Sequence, residues 1–197
     1  MTKGRVEAFS DGVLAIIITV MVLEFKVPHS ATVGELKTLL PTFLSYVLSF
    51  VFVAIYWNNH HHLFQVARRV NVAVLWANSH LLFWLSLIPF ATNWMGESGF
   101  AALPVGVYGV LLLLCGTAFQ VMTATVVRAQ GLGSELEIKL GKNVKGTVSL
   151  VMYGLAVAFA WFSPLVSLAL YATVACVWLV PDRRLESEID AGQAHRE

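Results

Sequence analysis

The strongest constraint on this chain is the recurrence of apolar, nearly uncharged stretches of about 20 residues, the length a helix needs to span a bilayer. Six segments qualify: Glu7–Phe25, Thr38–Trp57, Val70–Trp94, Pro104–Val127, Gly146–Phe162 and Pro164–Val180. The connections between them are brief, with no linker, second domain or internal repeat. With 57% hydrophobic and 13% charged residues and a mean hydropathy of +0.72, the chain carries more apolar surface than a soluble domain needs. The expected class is therefore all-α, a polytopic membrane protein with a six-helix domain over 1–181 and a hydrophilic tail over 182–197. The last two segments are short, and Ser163-Pro164 forces a tight hairpin between them. Pro89 in the third segment frees a backbone carbonyl and predicts a kink. Gly106, Gly109 and Gly116 in the fourth offer close helix contacts.

The basic residues set the orientation, because positive charge is retained on the cytosolic side. With the N-terminus inside, Lys3, Arg5, Arg68, Arg69, Arg128, Lys139, Lys142, Lys145, Arg183, Arg184 and Arg196 are cytosolic. Only Lys26 and Lys37 are outside, a division of 11 against 2 of the chain's 13 basic residues. Both termini are thus expected in the cytosol, and the protein in the cell membrane. The first segment is no cleavable signal peptide, since a carboxylate lies within it and no small-x-small site follows. Cys115 and Cys176 sit in apolar segments as packing residues, which implies no disulfide framework. The net charge of +1 says little about partners, and no nucleic-acid partner is expected.

The first segment opens with the polar cluster Arg5, Glu7, Ser10 and Asp11, after which Gly12 to Leu23 carries no charge and a single hydroxyl, Thr19. A carboxylate this far inside a membrane helix is costly unless paired or wetted. At about 100° per residue, Gly12, Ile16, Thr19, Val20 and Leu23 form one stripe. That stripe reads either as ordinary helix packing or as a pore wall of apolar rings with one hydrophilic ring, and periodicity alone does not separate the two.

His60-His61-His62 invites a metal reading, but consecutive helical positions point about 100° apart and lack the i, i+4 spacing of helical metal sites. No metal or other cofactor is expected. Depth suggests another role: Arg5, Ser10, Asp11, His60, His61, Asn78 and His80 all fall in the cytosolic third, where an intramembrane carboxylate wants a hydrogen-bonded network. The plainer alternative is that the histidines, His62 above all, merely sit at the interface.

Arg5-x-x-x-Phe9-Ser10-Asp11-Gly12, followed by Ala15-Ile16-Ile17-Ile18-Thr19, resembles the signature of the transmembrane protein 175 family. The Tyr56-Trp57-Asn58-Asn59-His60-His61 stretch and the six-helix plan extend the resemblance over most of the chain, as a single repeat of the prokaryotic type. Members are potassium-permeable cation channels of endosomes, lysosomes and prokaryotic membranes. The resemblance implies a homotetramer with helix 1 on the axis, potassium as permeant ion, and a structural role for the Arg-Phe-Ser-Asp motif. Ile16, Val20 and Leu23 would then be stacked apolar gate rings, Thr19 the selectivity ring, and Glu24 a cation-concentrating group at the outer mouth, unless it pairs with Lys26. No TVGYG filter is present. The competing function is a proton-coupled transporter using Asp11 and the nearby histidines, against which stands the lack of an inverted repeat or broken helix at mid-depth. No nucleophile–base pair points to an enzyme.

Overall fold

The computed structural model describes residues 2–131 and 144–179, and every regular element among them is a helix. In chain order these are α1 (Lys3–Leu23), α2 (Val33–Thr38), α3 (Leu40–Val66), α4 (Val72–Ser86), α5 (Ile88–Glu97), α6 (Ala102–Gln130), α7 (Val144–Phe159) and α8 (Pro164–Leu179). Lys3–Leu23, Leu40–Val66, Val72–Glu97 and Ala102–Gln130 are long and apolar enough to cross a membrane. The two helices α7 and α8 have 16 residues each, roughly 24 Å at 1.5 Å per residue. The expected tail over 182–197 lies outside the described residues.

Three departures from the expected boundaries have local causes. First, α3 runs nine residues past Trp57, through the three histidines to Val66. Polar residues end a hydropathy window without ending a helix, and Asn59 stays within the helical turn by donating to the Ile55 carbonyl at 2.8 Å. Second, the third segment is two helices meeting at Leu87, with Pro89 in the first turn of α5, where its missing N–H costs nothing. Third, the outer connection contains α2, whose N-cap Thr32 accepts from the Glu35 amide at 3.3 Å.

The bend at Leu87 is braced by hydroxyls. Tyr108 on α6 lies 2.9 Å from Ser49 on α3, Ser49 lies 2.6 Å from Thr92 on α5, and Thr92 donates to the Ile88 carbonyl at 2.7 Å. All three side chains are buried. Because Thr92 spends its proton on Ile88, the order of donation runs from Tyr108 to Ser49 to Thr92, tying α6, α3 and α5 together.

Helix α6 is the backbone of the bundle, packing against α4 and α5 on one side and α7 and α8 on the other, while α1 packs on α3, α4 and α5. Its glycines meet the α7–α8 hairpin: a Cβ on Gly109 would lie 2.0 Å from the Tyr171 hydroxyl, and one on Gly116 2.9 Å from Leu150 Cδ2. The hairpin turns at Ser163-Pro164 and is stitched by Ser167, which donates to the Ala156 carbonyl at 2.7 Å. The closest backbone approach is at Gly96 of α5, where an added Cβ would stand 2.6 Å from Thr42 Cα.

A backbone atom cannot rotate away as a side chain can. Gly96→Ala is therefore expected to force α3 and α5 apart and cost about 1–3 kcal/mol, read as a lower unfolding midpoint of the purified protein in detergent. Gly154→Ala, with nothing within 4 Å of the added carbon, should gain up to about 1 kcal/mol from helix propensity. Equal midpoints for the two variants would contradict this packing.

Candidate functional site

Helix α1 has two faces with opposite fates. Val6, Ser10, Leu14, Ile17 and Met21 are buried against the bundle, at the three- and four-residue spacing of one helical stripe. Gly12, Ile16, Thr19 and Leu23 are exposed and Val20 is half-buried. Ile16 is 62% and Leu23 81% accessible, so the stripe picked out from the sequence is the side that this chain leaves bare. Thr19 donates to the Ile16 carbonyl at 2.9 Å. With the proton turned inward, the oxygen presents its lone pairs outward.

The buried face is fastened at its polar end. Ser10 donates to the Val6 carbonyl at 2.9 Å and accepts from Asn78 Nδ2 at 3.0 Å. Asn78 Oδ1 lies 2.8 Å from His60 Nε2. A carbonyl oxygen only accepts, so His60 carries its proton on Nε2. The imidazole stacks on Phe64 at 4.5 Å, and Ser10, Asn78 and His60 are all buried. The bonds from Asn78 to Ser10 and from His60 to Asn78 join α1, α4 and α3.

The other motif residues have different partners. Asp11 is exposed and accepts from Trp57 Nε1 at 3.0 Å, a second tie between α1 and α3. His61 pairs with Gln65 at 2.8 Å, and His80 accepts from Trp84 Nε1 at 2.8 Å, each within its own helix. Arg5, Phe9 and Gly12 are exposed, and no described side chain stands within 4 Å of a Cβ built on Gly12. Among the described residues no group of histidine, cysteine and acidic side chains has metal-site geometry.

At the opposite end of α1, Glu24 accepts from Asn93 Nδ2 at 3.2 Å, while Lys26 pairs with Glu97 rather than with Glu24. The Glu97 carboxylate holds the Lys26 ammonium above its ordinary range, with a smaller contribution from Glu24. A groove of about 620 Å3 runs beside this end of α1, with Val13, Ile17 and Val20 on one wall and Pro89, Phe90 and Trp94 on the other. Trp57 and Asn93 are the partners that sequence reading missed. An indole only donates, so Trp57 at the end of the second segment is itself a signal for an acceptor such as Asp11 on the neighbouring first segment.

Fold and site define a membrane-spanning helical protein in which one helix is anchored by a buried polar set and has an opposite stripe that its own chain leaves uncovered. Residues 5–89 match the family described as Endosomal/lysosomal potassium channel TMEM175. A protein of Chryseobacterium named a potassium channel is 49% identical over 96% of this chain and 98% of its own length. One from Streptomyces collinus, also named a potassium channel, is 30% identical over 88% of this chain and 89% of its own. The human protein named endosomal/lysosomal proton channel TMEM175 is 40% identical over 35% of this chain and 16% of its own. A crystal structure of a lysosomal potassium-selective channel TMEM175 homolog from Chamaesiphon minutus superposes with a TM-score of 0.80 and 28% identity, covering 90% of this chain and 96% of that one. The chain belongs to the TMEM175 family. By their names these relatives are channels, not enzymes.

Asn78 is the centre of the anchor. Asn78→Leu keeps the branched outline but leaves Ser10 and His60 without their shared partner, at about 1–3 kcal/mol for each buried group stranded. A marked fall in unfolding midpoint is expected, whereas Trp57→Phe, which loses a bond to an exposed carboxylate, should cost about 1 kcal/mol or less. Thermal unfolding of both variants beside the parent checks the order, and a reversed order would remove Asn78 from that role.

Proposed function

We propose that the protein is a potassium-permeable cation channel of the cell membrane, modestly selective for potassium over sodium. Four copies of a six-span subunit assemble around α1, with both termini in the cytosol. The observation that carries this reading is the bare stripe of α1 on a helix whose other face is fully packed. Two further features support it. Gly12 has open space around it within its own chain, and the groove of about 620 Å3 between α1 and α5 is largely apolar, as a contact with a neighbouring subunit requires. The bacterial relatives are named potassium channels.

In the tetramer Ile16, Val20 and Leu23 stack as apolar rings, which close the pathway by excluding water. Thr19, its proton committed to the Ile16 carbonyl, turns four oxygens toward a partly dehydrated ion. Potassium surrenders its hydration shell more readily than sodium, so such a constriction favours it without a carbonyl cage. Glu24 raises the cation concentration at the outer mouth. Asp11, exposed on the same helix, lies where a water-filled path would wet it, which lowers the cost of a carboxylate at that depth.

Proton conduction is the second reading, favoured by the names of the animal relatives. Against a relay through Asp11 stands the separation of its partners: Asp11 bonds the Trp57 indole, and His60 bonds Asn78. Purified protein in liposomes separates the two. Electrogenic flux, faster for potassium than sodium and independent of a pH gradient, is expected; strict dependence on an imposed proton gradient would move the assignment to proton transport.

Two substitutions test the stripe itself. Ile16→Asn should wet the constriction, raising basal conductance and weakening discrimination among cations. Thr19→Val keeps the shape, removes the oxygen, and should lower potassium permeation relative to sodium with the tetramer intact. If Ile16→Asn left conductance unchanged and Thr19→Val were silent in the same flux assay, α1 would not line the pathway.

A further inference from the structure

Helices α3, α6, α7 and α8 enclose a narrow cleft of about 40 Å3 in which α1 takes no part. It lies toward the end of the bundle that carries the N-terminus, as the bond from Lys3 to the Gln65 carbonyl and that from Trp178 to Ser149 fix. Three polar groups on its walls are unused. Gln120 Nε2 is buried without an acceptor. The hydroxyls of Tyr56 and Tyr153, on side chains only 8% and 3% accessible, make no hydrogen bond with any described residue. The fold's other buried tyrosines behave differently: Tyr108 bonds Ser49 and Tyr171 donates to the Val105 carbonyl.

The rest of the lining is satisfied or apolar. Ser149 donates to the Lys145 carbonyl and accepts from Trp178 Nε1, and Asn59 donates to the Ile55 carbonyl. Phe119 and Leu150, both partly exposed, form an apolar lip. Gly116 lets Leu150 close over the floor: a Cβ there would stand 2.9 Å from Leu150 Cδ2 and 3.7 Å from the Tyr56 hydroxyl. Among the described residues no charged side chain lines the cleft, so a carboxylate or phosphate would be buried without a counter-charge among them, which is unfavourable. A neutral acceptor on an apolar body meets every condition.

We propose that this cleft binds the acyl ester group of a lipid, its two oxygens accepting from Gln120, Tyr56 and Tyr153, with the chain leaving over Phe119 and Leu150. The free volume holds an ester group but not a whole chain, so the chain lies outside against the bilayer. The carbonyl gives the buried amide the acceptor that the protein withholds. The ester can belong to a phospholipid of the bilayer or to a free monoacylglycerol.

Photolabelling of the full chain in phosphatidylcholine nanodiscs tests this. The probes are a monoacylglycerol with a diazirine in its chain, a phosphatidylcholine with the same acyl chain, and the ether analogue of each, which lacks the carbonyl. Saturable labelling of α6 and α7 by at least one ester probe is expected, with the ether analogue labelling about fivefold less. Which ester probe labels identifies the source. Gln120→Leu should lower ester labelling by a similar factor, and Tyr153→Phe should lower it further. Equal labelling by ester and ether would mean that the chain binds without its carbonyl, and no labelling by either that no lipid enters the cleft; each would overturn the proposal. If Gln120→Leu fails to elute as a folded particle, the ester-to-ether ratio on the parent protein decides by itself.

Discussion

Hydrocarbon offers no hydrogen-bond partner, and nearly every polar choice in this bundle answers to that fact. Backbone groups are satisfied within helices. Most hydroxyls fold back onto their own helix, as Ser45 does to the Pro41 carbonyl, Thr117 to Leu113 and Thr173 to Ala169. A polar side chain that reaches another helix is therefore a committed structural link, because the alternative is an unpaired group in a medium that cannot solvate it. Such links include Ser10–Asn78–His60, Asp11–Trp57, Tyr108–Ser49–Thr92, Trp178–Ser149, Ser167–Ala156 and Tyr171–Val105, and they tie α1, α3, α4, α5, α6, α7 and α8 into one bundle.

For α1 this produces a division of labour. The buried stripe from Val6 to Met21 packs as a core helix would, and the polar bonds are concentrated at one end. Along its middle the helix is held by apolar contacts alone. The proposed pore stripe therefore sits on a helix whose axial position is fixed near Ser10 and Asp11, and polar atoms of another helix meet it again only at its far end, where Thr92 approaches the Met21 sulfur and Asn93 donates to Glu24. Thr19 fits that pattern, because its hydroxyl bonds inward to the Ile16 carbonyl and ties α1 to no neighbour.

The α7–α8 hairpin forms the other half of the design. Its helices are short, yet they lean on the longest helix through glycine contacts and on each other through Ser167. The bent pair α4 and α5 stands between this buttress and α1, with the bend at Leu87 braced by Thr92. Met21 sulfur lies 4.0 Å from the Thr92 hydroxyl, so the brace also abuts α1 near its C-terminal end.

What the sequence determined by itself is the architecture. Hydropathy is summed over some 20 neighbouring residues, so the apolar segments, the break at Pro89, the close approaches at Gly109 and Gly116 and the stripe from Gly12 to Leu23 could all be read along the chain. The family resemblance could be read there too, because Arg5, Phe9, Ser10 and Asp11 are close in sequence. Tertiary structure alone decided who bonds whom. Trp57 and Asp11 are 46 residues apart, and Ser10 and Asn78 are 68 apart. Several histidines shared the depth of Asp11, yet His61 and His80 found partners one turn away on their own helices. Depth places a side chain along the membrane normal, but not around its helix axis. That rotation is set by how α3 and α4 pack against α1, and it turned Trp57 toward Asp11 and His60 toward Asn78.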